Sequence, residues 1–295
     1  RDEKGEKMSK IKGNVLNPID TLEKYGTDAL RFALSTGTSP GGDIKLTTSR
    51  LEAGRNFANK LWNATRFVVR SIEPEDTNME IQWSLLPVED RWILSRLSRT
   101  ISSVTSLTEG FQFGEAQRQI YDFLWGEFCD WYIELAKIRL GSATGEALSP
   151  VPVLVHVLET SLRLLHPYMP FITEELWQNL KKHLPQDWQA TESIMIAAYP
   201  DATGTATDPE SERIMEPVID IIHSIRNARA QYKVESTRWI EAQIYSGKLT
   251  PAITPYSEAI QTLARARPVT FLNKRQEGPP NENALVLVLK ETEVV

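Results

Sequence analysis

Two lysines three residues apart, Lys7 and Lys10, enclose Met8 and Ser9, and Ile11, Lys12, Gly13 and Asn14 follow at once. An ammonium on a flexible stem can follow negative charge as it moves from a bound nucleotide onto departing pyrophosphate, so this pattern suits a loop that closes on a polyphosphate. Neither a Gly-x-x-x-x-Gly-Lys-Ser/Thr loop nor a Gly-x-Gly-x-x-Gly turn occurs, which excludes the P-loop and the dinucleotide fingerprint. A solvated lysine-rich loop that binds nothing has the same five-residue composition. The flanking sequence separates the two readings.

Other chemistries find little support. His156, His166, His183 and His223 have no metal-ligand spacing, and a single cysteine, Cys129, leaves no local zinc set and no intrachain disulfide, so no metal site is expected. Cys129 lies among Phe128, Trp131 and Tyr132 and reads as a buried structural thiol, which fits a reducing compartment. Arg226 and Arg229 are three apart on one helix and could meet a phosphate, although a solvated helix face explains them more simply. Trp62, Trp92, Trp125, Trp131 and Trp177 fall on apolar helical faces and are assigned to the core.

With 295 residues and 41% hydrophobic content, the chain can bury a core of about two domains. No run of about 18 uninterrupted apolar residues exists, so no membrane contact is expected. The net charge of −6 argues against indiscriminate nucleic-acid binding. Its distribution is uneven: residues 1 to 72 carry 13 Lys and Arg against 8 Asp and Glu, a formal +5, and the remainder 20 against 31, a formal −11.

The elements behind the loop are mostly helical. Asn17-Pro18 is a cap followed by proline at the first helical position, with Gly26 as the stop. Thr27 caps a second helix with Ala29, Leu30, Ala33 and Leu34 on its apolar face, ending at Gly37 before the turn Ser39-Pro40-Gly41-Gly42. Asp43 to Leu46 alternates like a short strand or extended segment. Ser49 and Glu52 form a capping box for a long helix with Leu51, Gly54, Ala58, Leu61, Thr65, Val68 and Ile72 inward. Connectors are read at 73–87, Gly141–Ser149 and 200–208, and further helices at 88–109, Gly114–Leu140, Pro150–His166, Thr173–His183 (with Thr173 as cap) and from Asp208-Pro209. The last of these turns Ile214, Val218, Ile221, Ile225 and Ala228 inward. After Val234, strand-like runs at Trp239–Tyr245, Val269–Leu272 and Ala284–Leu289 surround a helix over Pro255–Arg267. The chain therefore reads as mainly α, an antiparallel helical bundle with a small C-terminal α+β unit.

The lysine loop, together with Asn17-Pro18-Ile19-Asp20, Tyr25 to Phe32, Ser39 to Ile44 and Arg55 to Ala64, resembles the signature region of class I aminoacyl-tRNA synthetases, usually written Lys-Met-Ser-Lys-Ser. Within that family it is most similar to the valine-specific branch, to which the Asn56–Ala64 run points. Weaker matches follow at Asp90–Leu94, His166–Phe171, Glu174–Trp177 and Ser224–Ala230. The resemblance implies that Lys10 contacts the ATP phosphates and acts in catalysis, with Lys7, Met8 and Ser9 completing the ATP-binding loop. Ile11 departs from the usual serine.

It further implies a domain plan: the tail of a catalytic domain over 1–47, the anticodon-binding bundle over 48–200, and a further helix with the α+β unit over 201–295. Cations and aromatic rings read an unpaired anticodon, and Lys45, Arg50, Arg66 and Phe67 are the nominated contacts, although Phe67 serves equally as core. Neither a His-Ile-Gly-His-like motif nor an editing domain occurs, so the chain reads as a C-terminal fragment that is catalytically incomplete and binds no cofactor alone. The full-length enzyme implied is a cytoplasmic monomer using valine, ATP and Mg2+ on tRNA(Val), with no DNA or membrane partner. An isoleucine or leucine enzyme, a non-catalytic RNA-binding module and a protein-interaction scaffold are the alternatives.

Overall fold

The expected bundle begins with α1 (Pro18–Tyr25), where the Asn17 side chain accepts the Ile19 N–H and Pro18 opens the helix. In the computed structural model, residues 1–36, 42–73, 79–141, 148–203, 206–273 and 284–295 are described. The expected stop at Gly37, the turn residues Ser39 to Gly41, Pro74 and parts of the three connectors lie outside them. The remaining helices are α2 (Thr27–Ser35), α3 (Thr48–Arg70), α4 (Val88–Glu109), α5 (Phe113–Asp122), α6 (Ile133–Gly141), α7 (Val151–Leu165), α8 (Pro170–Lys181), α9 (Pro209–Gln231), α10 (Thr250–Ile253) and α11 (Ser257–Ala264). The fold is mainly α with a small four-stranded sheet near the C-terminus.

The chain divides into two compact units, the first comprising 1–86, 93–133 and 146–207. At its centre, α2 packs on α3, and Gly54 explains how closely: a Cβ there would meet the Ala29 carbonyl oxygen at 2.8 Å and its Cα at 3.0 Å. The ends of α2 are tied down. The buried Asp28 carboxylate accepts the N–H groups of Phe171 (3.4 Å) and Ile172 (2.6 Å) in the first turn of α8, where an anion is favoured. Arg31 donates to the Pro167 and Tyr168 carbonyls at 3.1 and 3.3 Å. At the other end, the buried Gln117 amide donates to Phe32 O and to Thr36 Oγ1, and Arg50 donates to Thr36 O at 2.6 Å.

Several local expectations change. Thr47, not Ser49, caps α3, its hydroxyl accepting the Arg50 N–H, because the helix starts one residue before Ser49. Fully buried Phe57 takes the inward place expected of Ala58, packing on Phe32 and Tyr121, and Ile72 lies beyond the helix. Gly26 rather than Thr27 stands at the cap of α2, Phe32 joins its buried face, and Leu34 is exposed. Thr173 does not cap α8: Pro170 starts the helix, and the buried Thr173 hydroxyl bonds Met169 O and His166 Nδ1, each at 2.8 Å. Asp43–Leu46 forms no strand, since its nearest backbone partner is Arg1, whose carbonyl accepts Leu46 N–H. The helix expected over Gly114–Leu140 is continuous but passes through a π-helical stretch at Phe123–Tyr132 between α5 and α6. There Trp125 and Trp131 are only half-buried, and Trp62 on α3 is exposed, whereas Trp92 and Trp177 are core.

The second unit comprises 87–92, 134–145 and 208–295. Asp208 caps α9 as expected, accepting the Glu210 and Ser211 N–H groups, and Met215 and Ile222 join Val218, Ile221 and Ile225 in its buried stripe, with Ile214 and Ala228 half-buried. Strands β1 (Ile240–Tyr245) and β2 (Ala266–Leu272) pair in parallel, joined through α10 and α11, which pack on α9. The run expected over Ala284–Leu289 narrows to β3 (Leu287–Val288), and β4 (Glu293–Val294), which alternation did not reveal in so short a segment, pairs antiparallel with β1 and β3 to give the order β2-β1-β4-β3. Arg139 binds Glu89 and the wholly buried Asp90, each at 2.8 Å, and the Tyr256 hydroxyl donates to Glu89 at 2.9 Å.

Gly54→Ala is expected to cost about 1–3 kcal/mol in urea unfolding, because two backbones must separate. Gly126→Ala, whose Cβ meets nothing within 4 Å, is the control. A second expectation concerns pH. Burial pushes the His166 imidazole below its ordinary value, with Glu174 and Asp28 partly offsetting it, so the folded chain binds fewer protons there than the unfolded chain. The contribution is present above the unfolded value of about 6.5 and is lost as pH falls through it towards the folded value. Thermal melting at mildly acidic and neutral pH should show this slope, and His166→Asn should flatten it.

Candidate functional site

The lysine loop is built on a short carboxylate and amide clasp. Asp2 accepts the N–H groups of Lys4 (3.1 Å) and Glu6 (2.8 Å) on one oxygen and the Asn14 amide (2.8 Å) on the other. These donors, the Asn14 amide first, hold the Asp2 carboxyl below the usual carboxylate range. Asn14 in turn accepts the Ser9 N–H at 2.9 Å, closing the base of the turn. Ser9 Oγ accepts the Lys12 N–H at 3.2 Å, and Gly13 takes φ of +67°, a conformation that glycine adopts without cost. Arg1 pairs with Asp43, and Glu3 accepts the Thr48 N–H at the start of α3, so the clasp is seated along residues 43–48.

The cations stand outward. Lys7, Lys10 and Lys12 are exposed, and Lys12 pairs with Glu6 at 3.2 Å. Among the described residues, the ammonium groups of Lys7 and Lys10 have no hydrogen-bond or ion-pair partner. Met8 and Ser9 are half-buried beneath them, and Ile11 is 100% exposed at the apex. Two unpaired ammonium groups on a turn closed at its base suit a multivalent anion such as a triphosphate. No set of three or more His, Cys, Asp or Glu that could hold a metal occurs among the described residues.

The four nominated RNA contacts fall into two pairs. Lys45 is exposed, and its carbonyl accepts from the Arg50 guanidinium at 3.1 Å, while the other arm of Arg50 reaches Thr36 O; that guanidinium is committed to closing the end of α2. Arg66 is exposed and Phe67 half-buried, about 24 Å further along α3 at 1.5 Å per residue. Arg226 and Arg229 form neither a phosphate fork nor a solvated face: Arg226 donates to Leu263 O, and Arg229 to Glu235 O and Arg238 O.

One surface escaped the sequence reading. Asn56, Asn59, Asn63, Arg66 and Arg70 recur at three- and four-residue spacing and are all exposed on α3, with Trp62 beside them 42% exposed. Asparagine is a poor helix former, so three on one outward stripe was a signal available in the sequence. Beside it, Lys60 pairs with Asp130 and stands 3.9 Å from the centre of the Trp125 ring.

Residues 90–244 match the anticodon-binding domain of tRNA ligases, and residues 1–47 match the class I tRNA synthetases for isoleucine, leucine, methionine and valine. The chain is 53% identical over its whole length to the valine–tRNA ligase of Dehalococcoides mccartyi strain CBDB1, covering 33% of that protein. It is 44% identical over 83% of its length to the valine–tRNA ligase of Bacillus cereus strain ATCC 14579, covering 27% of that protein. Among solved structures, the LeuRS–tRNA–LeuAMS ternary complex of Agrobacterium radiobacter K84 matches with a TM-score of 0.51 and 27% identity, over 68% of this chain and 23% of that one. The chain thus spans about a third of the length of the curated relatives it matches. With more than half of its residues in the first of these matches and its lysine loop in the second, the chain belongs to the anticodon-binding-domain family of tRNA ligases, led in by a class I synthetase segment.

Proposed function

We propose that this chain is the tRNA-holding part of a valine–tRNA ligase, with residues 1–47 completing the catalytic domain, 48–200 forming the anticodon-binding bundle and 201–295 a further helix and α+β unit. The observation that carries the reading is end-to-end similarity to valine–tRNA ligases in a chain whose Lys7 and Lys10 stand exposed and unpaired. The full-length enzyme activates valine with ATP and transfers it to tRNA(Val). Lys10 neutralises charge gathering on the departing pyrophosphate, Lys7 holds the same phosphates from the other side of the turn, and the Asp2–Asn14 clasp keeps both ammonium groups aimed outward. Magnesium, when bound with the nucleotide, would add charge neutralisation on its phosphates beside Lys7 and Lys10.

RNA is held along α3. Lys45 supplies a phosphate contact near its start, and Arg66 with Phe67 supplies a cation and a ring near its end, with the Asn56–Asn63 amides between them. The Arg50 guanidinium acts through its neighbours by fixing the Lys45 backbone.

In the full-length protein, Lys10→Ala is expected to lower valine-dependent pyrophosphate exchange by about 100-fold or more while the melting temperature stays unchanged. An unchanged exchange rate would refute the role given to Lys10. For RNA, filter binding of the 295-residue chain to tRNA(Val) should weaken about fivefold or more with Phe67→Ala, and Arg66→Gln should flatten the salt dependence. Equal binding by both variants would remove this end of α3 from the interface.

A further inference from the structure

The second unit carries a group of cations that the functional reading has not used. Arg229, 8% exposed, spreads its guanidinium over the carbonyls of Glu235 (2.9 Å), Arg238 (2.8 Å) and Arg265 (3.4 Å). Ile240 N–H donates to the same Arg265 carbonyl. One buried side chain therefore gathers the end of α9, the loop before β1 and the turn between α11 and β2. That convergence brings Lys233, Arg238, Arg265 and Arg267 to one edge of the unit, all exposed and, among the described residues, without an ion-pair partner.

Lys233 (φ 52°) and Arg265 (φ 54°) end α9 and α11 in the left-handed conformation common at helix C-termini, and both put a cation at the surface there. One further observation points to a ligand: Trp239, 45% exposed, has the Arg265 guanidinium 5.8 Å from its ring centre. Residues 226–267 hold seven Lys and Arg against three Asp and Glu, in a chain whose net charge is −6. Cations flanking an exposed indole form the combination that grips an RNA backbone while stacking an unpaired base.

We propose that this edge is a second RNA-contact site, separate from α3, in which Lys233, Arg238, Arg265 and Arg267 hold phosphates and Trp239 stacks an unpaired nucleotide. The inference rests on the tRNA-binding reading and extends it. Arg229 is a positioning residue here and touches no RNA.

The test is filter binding of the 295-residue chain to tRNA(Val) across a salt series. The triple variant K233Q/R238Q/R267Q should bind about tenfold more weakly and lower the slope of log Kd against log salt by about two. Trp239→Ala should weaken binding about fivefold or more, and Trp239→Phe should restore it. Melting temperatures of the variants should match the parent, because every changed side chain is exposed or half-exposed. If the parent chain binds and the triple variant keeps its affinity and slope, this site is overturned while the α3 interface stands. If Trp239→Ala binds as the parent does, stacking is overturned. A parent chain that binds no tRNA overturns the broader reading itself.

Discussion

The first unit depends on α2 being held at both ends by hydrogen bonds to groups distant in the chain. Asp28 closes the start of α8, and Arg31 takes the two carbonyls that precede it, so one turn of α2 satisfies the open backbone between α7 and α8. Burial raises the Asp28 carboxyl above its usual value, and the N–H groups of Ile172 and Phe171 oppose that shift. Truncating either partner would leave buried polar groups bare, which costs more than the bond contributes when intact. The two sequence stretches involved, Tyr25 to Phe32 and His166 to Phe171, are far apart in the chain. Their similarity to one family has a physical basis in this contact.

How much was legible follows from the kind of signal. Long helices with apolar stripes, such as α4 and α9, were readable because burial imposes the 3.6-residue period over many turns, and Asp208-Pro209 and Asn17-Pro18 mark helix starts through chemistry local to the chain. Phe57 in place of Ala58 was not readable, since both lie near the same stripe and only the Phe32 and Tyr121 rings opposite decide which turns inward. The Thr173 error has the same origin. A threonine before two glutamates looks like a cap, but Pro170 had already begun the helix and Thr173 was needed to meet His166.

The site was legible in its types and not in its partners. Lys7 and Lys10 announce themselves by spacing, whereas the Asp2–Asn14 clasp joins residues twelve apart that carry no motif of their own. Arg50 is nominated as an RNA contact by its charge beside a helix start, which says nothing of its backbone partners. Its two carbonyl partners show that a guanidinium also serves as a clamp for backbone left open at a helix end. Arg229 repeats that lesson in the second unit, where one buried arginine gathers the backbone carbonyls of converging segments beside the start of the β1–β2 ladder.

The clasp has a consequence for the entropy of gripping an anion. With Asp2, Glu6, Ser9 and Asn14 already bonded to one another, the freedom left to surrender is confined to the side-chain stems of Lys7 and Lys10 and to the apex at Ile11. Ordering a backbone costs about 1–2 kcal/mol for each residue fixed. A turn tied at its waist spends that on few positions and keeps the attraction of its ammonium groups for the anion itself.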